Sequence, residues 1–187
     1  LELIEQVSGA RSLPGDIADQ ILAKTEGIPL FIEELTKTML ESGLLVDQDN
    51  RYILAGALPP MAIPATLQDS LIARLDRLSP VKEVAQIGSV IGREFTYEMM
   101  LAVSAMNAGE LTDALASLVS AELVYVRGEP PDATYIFKHA LVQDAAYASL
   151  LRARRQQLHT RIAEVLQDKF PEATERRPEL LAFHYAA

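Results

Sequence analysis

Cysteine and tryptophan are absent from the 187-residue chain, and aromatic residues make up only 6% of it. Without cysteine there can be no disulfide and no thiolate metal site, which fits a reducing compartment. With so few aromatics, the core has to come from Leu, Ile, Val and Ala, and 49% hydrophobic content is enough to build one. Such a composition favours helices packed on helices. Positive charge is also scarce: 17 Lys and Arg stand against 26 Asp and Glu, a formal charge of −9. That balance argues against broad binding to a phosphate backbone, which needs a basic footprint. No apolar run approaches the length of a membrane span, and the first residues show no secretory signal.

The chain opens with "LELIEQ", already in a helical pattern, and closes with "PELLAFHYAA" in another. The expectation is a piece of a longer protein, with apolar surface near residue 187 that could pair two copies of the piece in a homodimer.

Helical signals follow one another through the first part. Residues 1–8 read as a helix end, Pro14 opens a helix that Gly27 stops, and "IPLFIEELTKTMLESG" runs to Gly43. Two β-prone runs around "DQDN" predict a hairpin over 44–54. The stretch 57–65, "ALPPMAIPA", is a connector, since tandem prolines cannot join a helix interior. Thr66, with Asp69 three residues on, is set as an N-cap for a helix amphipathic through Leu67, Leu71, Leu75 and Leu78.

Ser79-Pro80 begins "PVKEVAQIGSVIG", and "TYEMMLAVS" and "AGELTDALASLVSAE" predict two more helices. A hairpin over 123–139, around Gly-Glu-Pro-Pro-Asp, leads into the helix "ALVQDAAYASL". Three helices, a two-stranded wing and a further helix make a winged helix. The pattern "RARRQQLHTRIAEVLQDKF" (152–170) reads as a helical-repeat unit, with a partner helix from Pro178. The fold expected is mainly α, with helical units and small β-hairpins. Its divisions are a helical domain over 1–56, the connector 57–65, a winged helix over 66–151 and the start of a repeat region over 152–187.

Within "FKHALVQDAAY", His139, Gln143 and Tyr147 recur at helical spacing with Asp144 at their edge, and Leu141, Ala145, Ala148 and Leu151 make an apolar face. The polar stripe is expected to meet another domain or a ligand. Gln143, Asp144 and Tyr147, with the basic cluster Arg152, Arg154 and Arg155, are candidate interface residues. The pair Glu33-Glu34 reads as a solvated face.

No catalytic constellation emerges. No phosphate-cradling Gly-x-x-x-x-Gly-Lys-[Ser/Thr] occurs, the three histidines lack metal-ligand spacing, and no serine sits in a nucleophile elbow. A winged helix invites a DNA-binding reading, but the helix before the wing carries Glu110, Asp113 and Glu122 and no Lys or Arg. Nucleic-acid binding is therefore disfavoured.

Three stretches, "GIPLFIEELTKTMLESG", "IPATLQDSLIARLDRLSPVKEVAQIGSVIGREF" and "YIFKHALVQDAAYASLLRARRQQLH", in this order, resemble the signal-transduction ATPases with numerous domains, the STAND class. The likeness runs from about Leu13 to Tyr185. It leads toward bacterial versions fused to class III adenylate/guanylate cyclases, with large LuxR-type transcription regulators as relatives. The resemblance implies a cytoplasmic protein whose P-loop domain binds ATP or ADP with Mg. That domain is followed by a helical domain, a winged helix and helical repeats.

This chain would then supply the parts after the P-loop domain, with that domain and the repeats as partners in the same protein. It would bind no cofactor alone. The family's Gly-x-Pro motif falls on Gly27-Ile28-Pro29 and its winged-helix histidine, a contact of the ADP β-phosphate, on His139. Where some branches read Met-His-Asp, this chain reads Lys138-His139-Ala140, so an acidic role would fall to another residue such as Asp144. Two readings stand for each motif. Gly27-Ile28-Pro29 is also a helix stop followed by a helix start, which proline at a first helical position favours by itself. His139 could equally cap the last strand.

Overall fold

A computed structural model describes residues 2–48, 51–56, 63–78 and 81–187. Most of the connector, the centre of the first hairpin's turn and the Ser79-Pro80 helix start lie outside the described residues. The chain forms two compact units, Leu1–Arg74 and Leu75–Ala187.

The first unit begins with helices α1 (Glu2–Val7), α2 (Gly15–Thr25) and α3 (Pro29–Glu41), followed by strands β1 (Leu45–Gln48) and β2 (Arg51–Leu54). The strands pair antiparallel from Leu45 opposite Leu54 to Gln48 opposite Arg51. Ile4, Ile17, Ile21, Leu35, Met39 and Leu45 form the core, joined by Ile63 from the connector. Helix α4 (Leu67–Arg77) starts as its sequence indicates, with Thr66 Oγ1 accepting from the Asp69 amide at 3.0 Å. Leu67–Arg74 packs with this first unit, although the sequence pattern groups it with the winged helix that follows.

Beside its buried Leu71 and Leu75, α4 is held by polar contacts. Thr38 and Ser70 hydroxyls lie 2.7 Å apart in the interior. The Arg74 guanidinium, 2% exposed, pairs with the equally buried Glu34 and reaches both Glu41 oxygens at 3.0 and 3.1 Å. The solvated face expected at Glu33-Glu34 thus gives way to a division: Glu33 bonds Lys37 one turn on, while Glu34 is an interior anion.

The second unit runs α5 (Lys82–Ile91), β3 (Glu94–Thr96), α6 (Tyr97–Val103), α7 (Ala108–Ser120), β4 (Val124–Arg127), β5 (Thr134–Phe137), α8 (Ala140–Ala148), α9 (Arg152–Lys169), α10 (Pro171–Arg176) and α11 (Pro178–Ala186). The three strands form one antiparallel sheet in the order β3-β5-β4. Helix, strand, two helices and a hairpin, closed by a sheet in this order, are a winged helix with its full complement of strands. The expected hairpin is present, and β3 adds an edge that the sequence pattern does not reveal. Three residues are too few for alternation to register, and β3 exists through its pairing with Thr134–Ile136. Phe95 at its centre stacks on Tyr135 and leans on Phe137, both with ring centroids 5.8 Å away.

Helix α7 is closed at its start by a capping box, Asn107 accepting from the Glu110 amide while Glu110 accepts from the Asn107 amide. Helix α8 buries Val142, Ala145 and Ala146; of the apolar face expected, Ala145 is buried, while Leu141 is 44% exposed, Ala148 is exposed, and Leu151, beyond the helix, is 80% exposed. α10, six residues with none buried, has no apolar period to announce it. The architecture is mainly α with two small antiparallel sheets.

Candidate functional site

The junction between β5 and α8 is where strand pairing and a helix start meet. The Lys138 amide donates to Leu123 O at 3.0 Å, closing the wing, and Lys138 Nζ lies 3.1 Å from Glu122 Oε2. One residue on, His139 takes an extended backbone (φ −133°, ψ 145°) as the N-cap of α8, its carbonyl accepting from the Val142 amide. Its side chain does not cap the helix, and its Nε2 is buried without a hydrogen-bond partner. A buried polar nitrogen left unpaired is costly, and among the described residues only Ser104 Oγ and Arg155 Nε share that state.

The rest of the polar stripe has partners inside the second unit. Gln143 Nε2 donates to Ser89 O of α5 at 3.1 Å. Tyr147 Oη lies 3.1 Å from His159 Nε2 of α9, and the Arg155 guanidinium sits 4.2 Å above the Tyr147 ring. Arg155 also donates to the Tyr147 carbonyl at 3.2 Å. The stripe thus locks α8 against α5 and α9. Asp144 and Arg152 are exposed, and Arg154 forms an exposed pair with Glu83 of α5 at 2.9 Å. Of the candidate interface residues, Tyr147 and Arg155 join in one network, Gln143 bonds separately to α5, and Asp144 and Arg152 stand outside both.

Gly27 and Pro29 belong to the first unit. Glu26 and Gly27 both adopt positive φ (49° and 80°) as α2 ends, and Pro29 takes the first position of α3. Glycine suits that turn because it meets no Cβ penalty at positive φ. Ile28, Phe31, Lys24 and Thr66 line a shallow depression beside the turn, and Ile28 is 53% exposed.

Three features escaped sequence reasoning: the Arg74–Glu34 pair, the Ser89 carbonyl under Gln143, and the buried contact of His159 with His184. Each joins residues 25 or more positions apart, beyond any local pattern. Among the described residues, no group of three or more His, Cys, Asp or Glu side chains is arranged to hold a metal ion, and no helix is long and apolar enough to cross a membrane. On α7, Glu110, Thr112, Asp113 and Ala116 face solvent.

Residues 1–52, within the first unit, match the model of a domain of unknown function, DUF8739. An uncharacterized protein of Rhizobium meliloti (strain 1021) is 28% identical over 148 residues, 79% of this chain. The matched stretch is 14% of that relative, so the chain corresponds to a small part of a much longer protein.

Proposed function

We propose that this chain is a non-catalytic regulatory segment of a cytoplasmic signal-transduction ATPase of the STAND class, in a protein that also carries an adenylate/guanylate cyclase. Its helical unit and winged helix pack on a P-loop domain of the same protein in one nucleotide state and are released in another. The observation that carries the reading is His139, whose buried Nε2 has no partner at a helix start with no side-chain cap. Protonated and uncovered in one nucleotide state, that nitrogen would suit a phosphate oxygen, because the free amides of the helix start favour an anion there as well. The turn at Gly27-Ile28-Pro29, with Ile28 exposed, offers an apolar edge to a base.

These residues fit parts of a nucleotide's surroundings and not the whole, since the sequence has no phosphate-cradling loop. The P-loop domain would supply the Mg and polyphosphate grip. Since a ligand shifts a conformational equilibrium only by its differential affinity, His139 and Pro29 regulate only if they touch nucleotide in one state and not in the other.

The second reading, a LuxR-type regulator's module that binds DNA, has the charge of α7 against it. A helix entering the major groove beside phosphates needs Lys or Arg, and α7 has neither. The test is calorimetric titration of ADP into this chain and into one extended N-terminally through a P-loop domain. Binding by the extended chain and none by the 187 residues alone is the expected outcome. An extended chain that binds neither ADP nor ATP would defeat the proposal.

A further inference from the structure

Tyr147, His159 and His184 form a hydrogen-bonded file across three helices that the proposed function does not use. His159 on α9 is 1% exposed and His184 on α11 is 4% exposed, with their Nδ1 atoms 2.9 Å apart. At that distance one Nδ1 must carry the proton and the other must accept it. His159 Nε2 meets Tyr147 Oη at 3.1 Å, and Phe183 packs edge-on to the His159 ring with centroids 5.5 Å apart. When both rings are neutral, both hydrogen bonds of the file can be made at once. A doubly protonated pair would set two N–H groups against each other in the interior.

His184 is the single buried residue of α11. That helix is almost entirely apolar in sequence, yet Phe183 and Tyr185 are each 58% exposed and Leu180 and Leu181 only half-buried, so the histidine is the centre of its attachment. Tyr185 adds a bond to Gln167 on the surface at 2.8 Å. We propose that the His159–His184 pair is a protonation-sensitive clasp: neutral, it holds α11 on α9, and on acidification it lets α11 come away while the winged helix stays folded. The inference is independent of the nucleotide reading.

The charged and titratable groups facing the pair all favour its neutral form or leave it unopposed. Arg155, in the first turn of α9, adds positive charge, and Tyr147 of α8 brings only a hydroxyl. The carboxylates on the surrounding helices are exposed, among them Glu83 of α5, Glu98 of α6, Asp144 of α8, Glu164 of α9, Glu172 of α10 and Glu179 of α11. None of them bonds either ring. Burial and then the His159 ring lower the His184 pKa to about 4, and burial and then Arg155 lower that of His159. Released histidines titrate near 6.5. The docked state therefore binds fewer protons, so docking is at full strength above about pH 6.5 and weakens as the pH falls toward 4.

Amide hydrogen exchange on the 187-residue chain, corrected for intrinsic rates, tests this between pH 7.5 and 4.5. Protection in α11 is expected to fall tenfold to a hundredfold per pH unit below about 6.5, one or two protons being taken up on release, while α5 and α7 keep theirs. In His184→Phe most of that slope should vanish. Unchanged α11 protection in the unaltered chain, or loss in step with α5 and α7, overturns the clasp. So does a slope that survives in His184→Phe.

Discussion

Arg74 lies 2% exposed with its charge matched by Glu34 and Glu41, and its role is set by burial. Burial disfavours the guanidinium charge, and the two carboxylates more than offset that, leaving the pKa above its ordinary value. Removing one partner of a buried pair leaves the other uncompensated, at about 3–5 kcal/mol. Arg74→Ala should destabilise the chain by that amount in urea unfolding, whereas Arg74→Met with Glu34→Leu should recover most of the loss. The difference arises because two apolar groups leave no stranded charge. The sequence gives no sign of this pair. Glu34 follows Glu33 on a helix and looks like its neighbour, and its partner lies 40 residues away. His139, by contrast, is visible in the sequence as a lone imidazole between strand and helix, and only three-dimensional packing reveals that its Nε2 is unpaired.

At the scale of elements, glycine within α5 has a specific reason. A Cβ on Gly88 would come within 2.7 Å of the Phe95 ring, which is itself held by Tyr135 and Phe137. Gly88 is thus the socket that lets β3 lie against α5. Alanine would gain about 1 kcal/mol of helix propensity, but overpacking a held ring costs about 1–3 kcal/mol. Gly88→Ala is expected to lower stability by about 1 kcal/mol, read as a reduced thermal midpoint; a raised midpoint would mean that Phe95 is free to move aside. The helices longer than about two turns were legible because caps and apolar spacing mark them, as at Thr66, Pro29 and Gly43. β3 and α10 were not, since one depends on a distant partner strand and the other buries nothing. The face of α8 was misread for a related reason. Leu141 and Leu151 look like core by residue type, but with α5 packed close only Ala145 of that face is buried, joined by Val142 and Ala146.

Across the whole molecule, a winged helix follows a helical unit in one chain, and the helix that would read DNA is acidic. The fold class was legible because helix, helix, helix, hairpin, helix is a pattern of order, which survives errors at element boundaries. Function is less local: the role proposed, packing on another domain, leaves few chemical marks, and the one it rests on here is an unpaired imidazole nitrogen. The central claim is that this nitrogen serves a nucleotide phosphate. The most direct measurement is ADP affinity of the chain extended through the proposed P-loop domain, with and without His139→Ala, at matched thermal stability. Loss of a hydrogen bond to a charged phosphate should weaken ADP about tenfold or more. Equal affinity in the two proteins would contradict the account and leave His139 a residue of the wing alone.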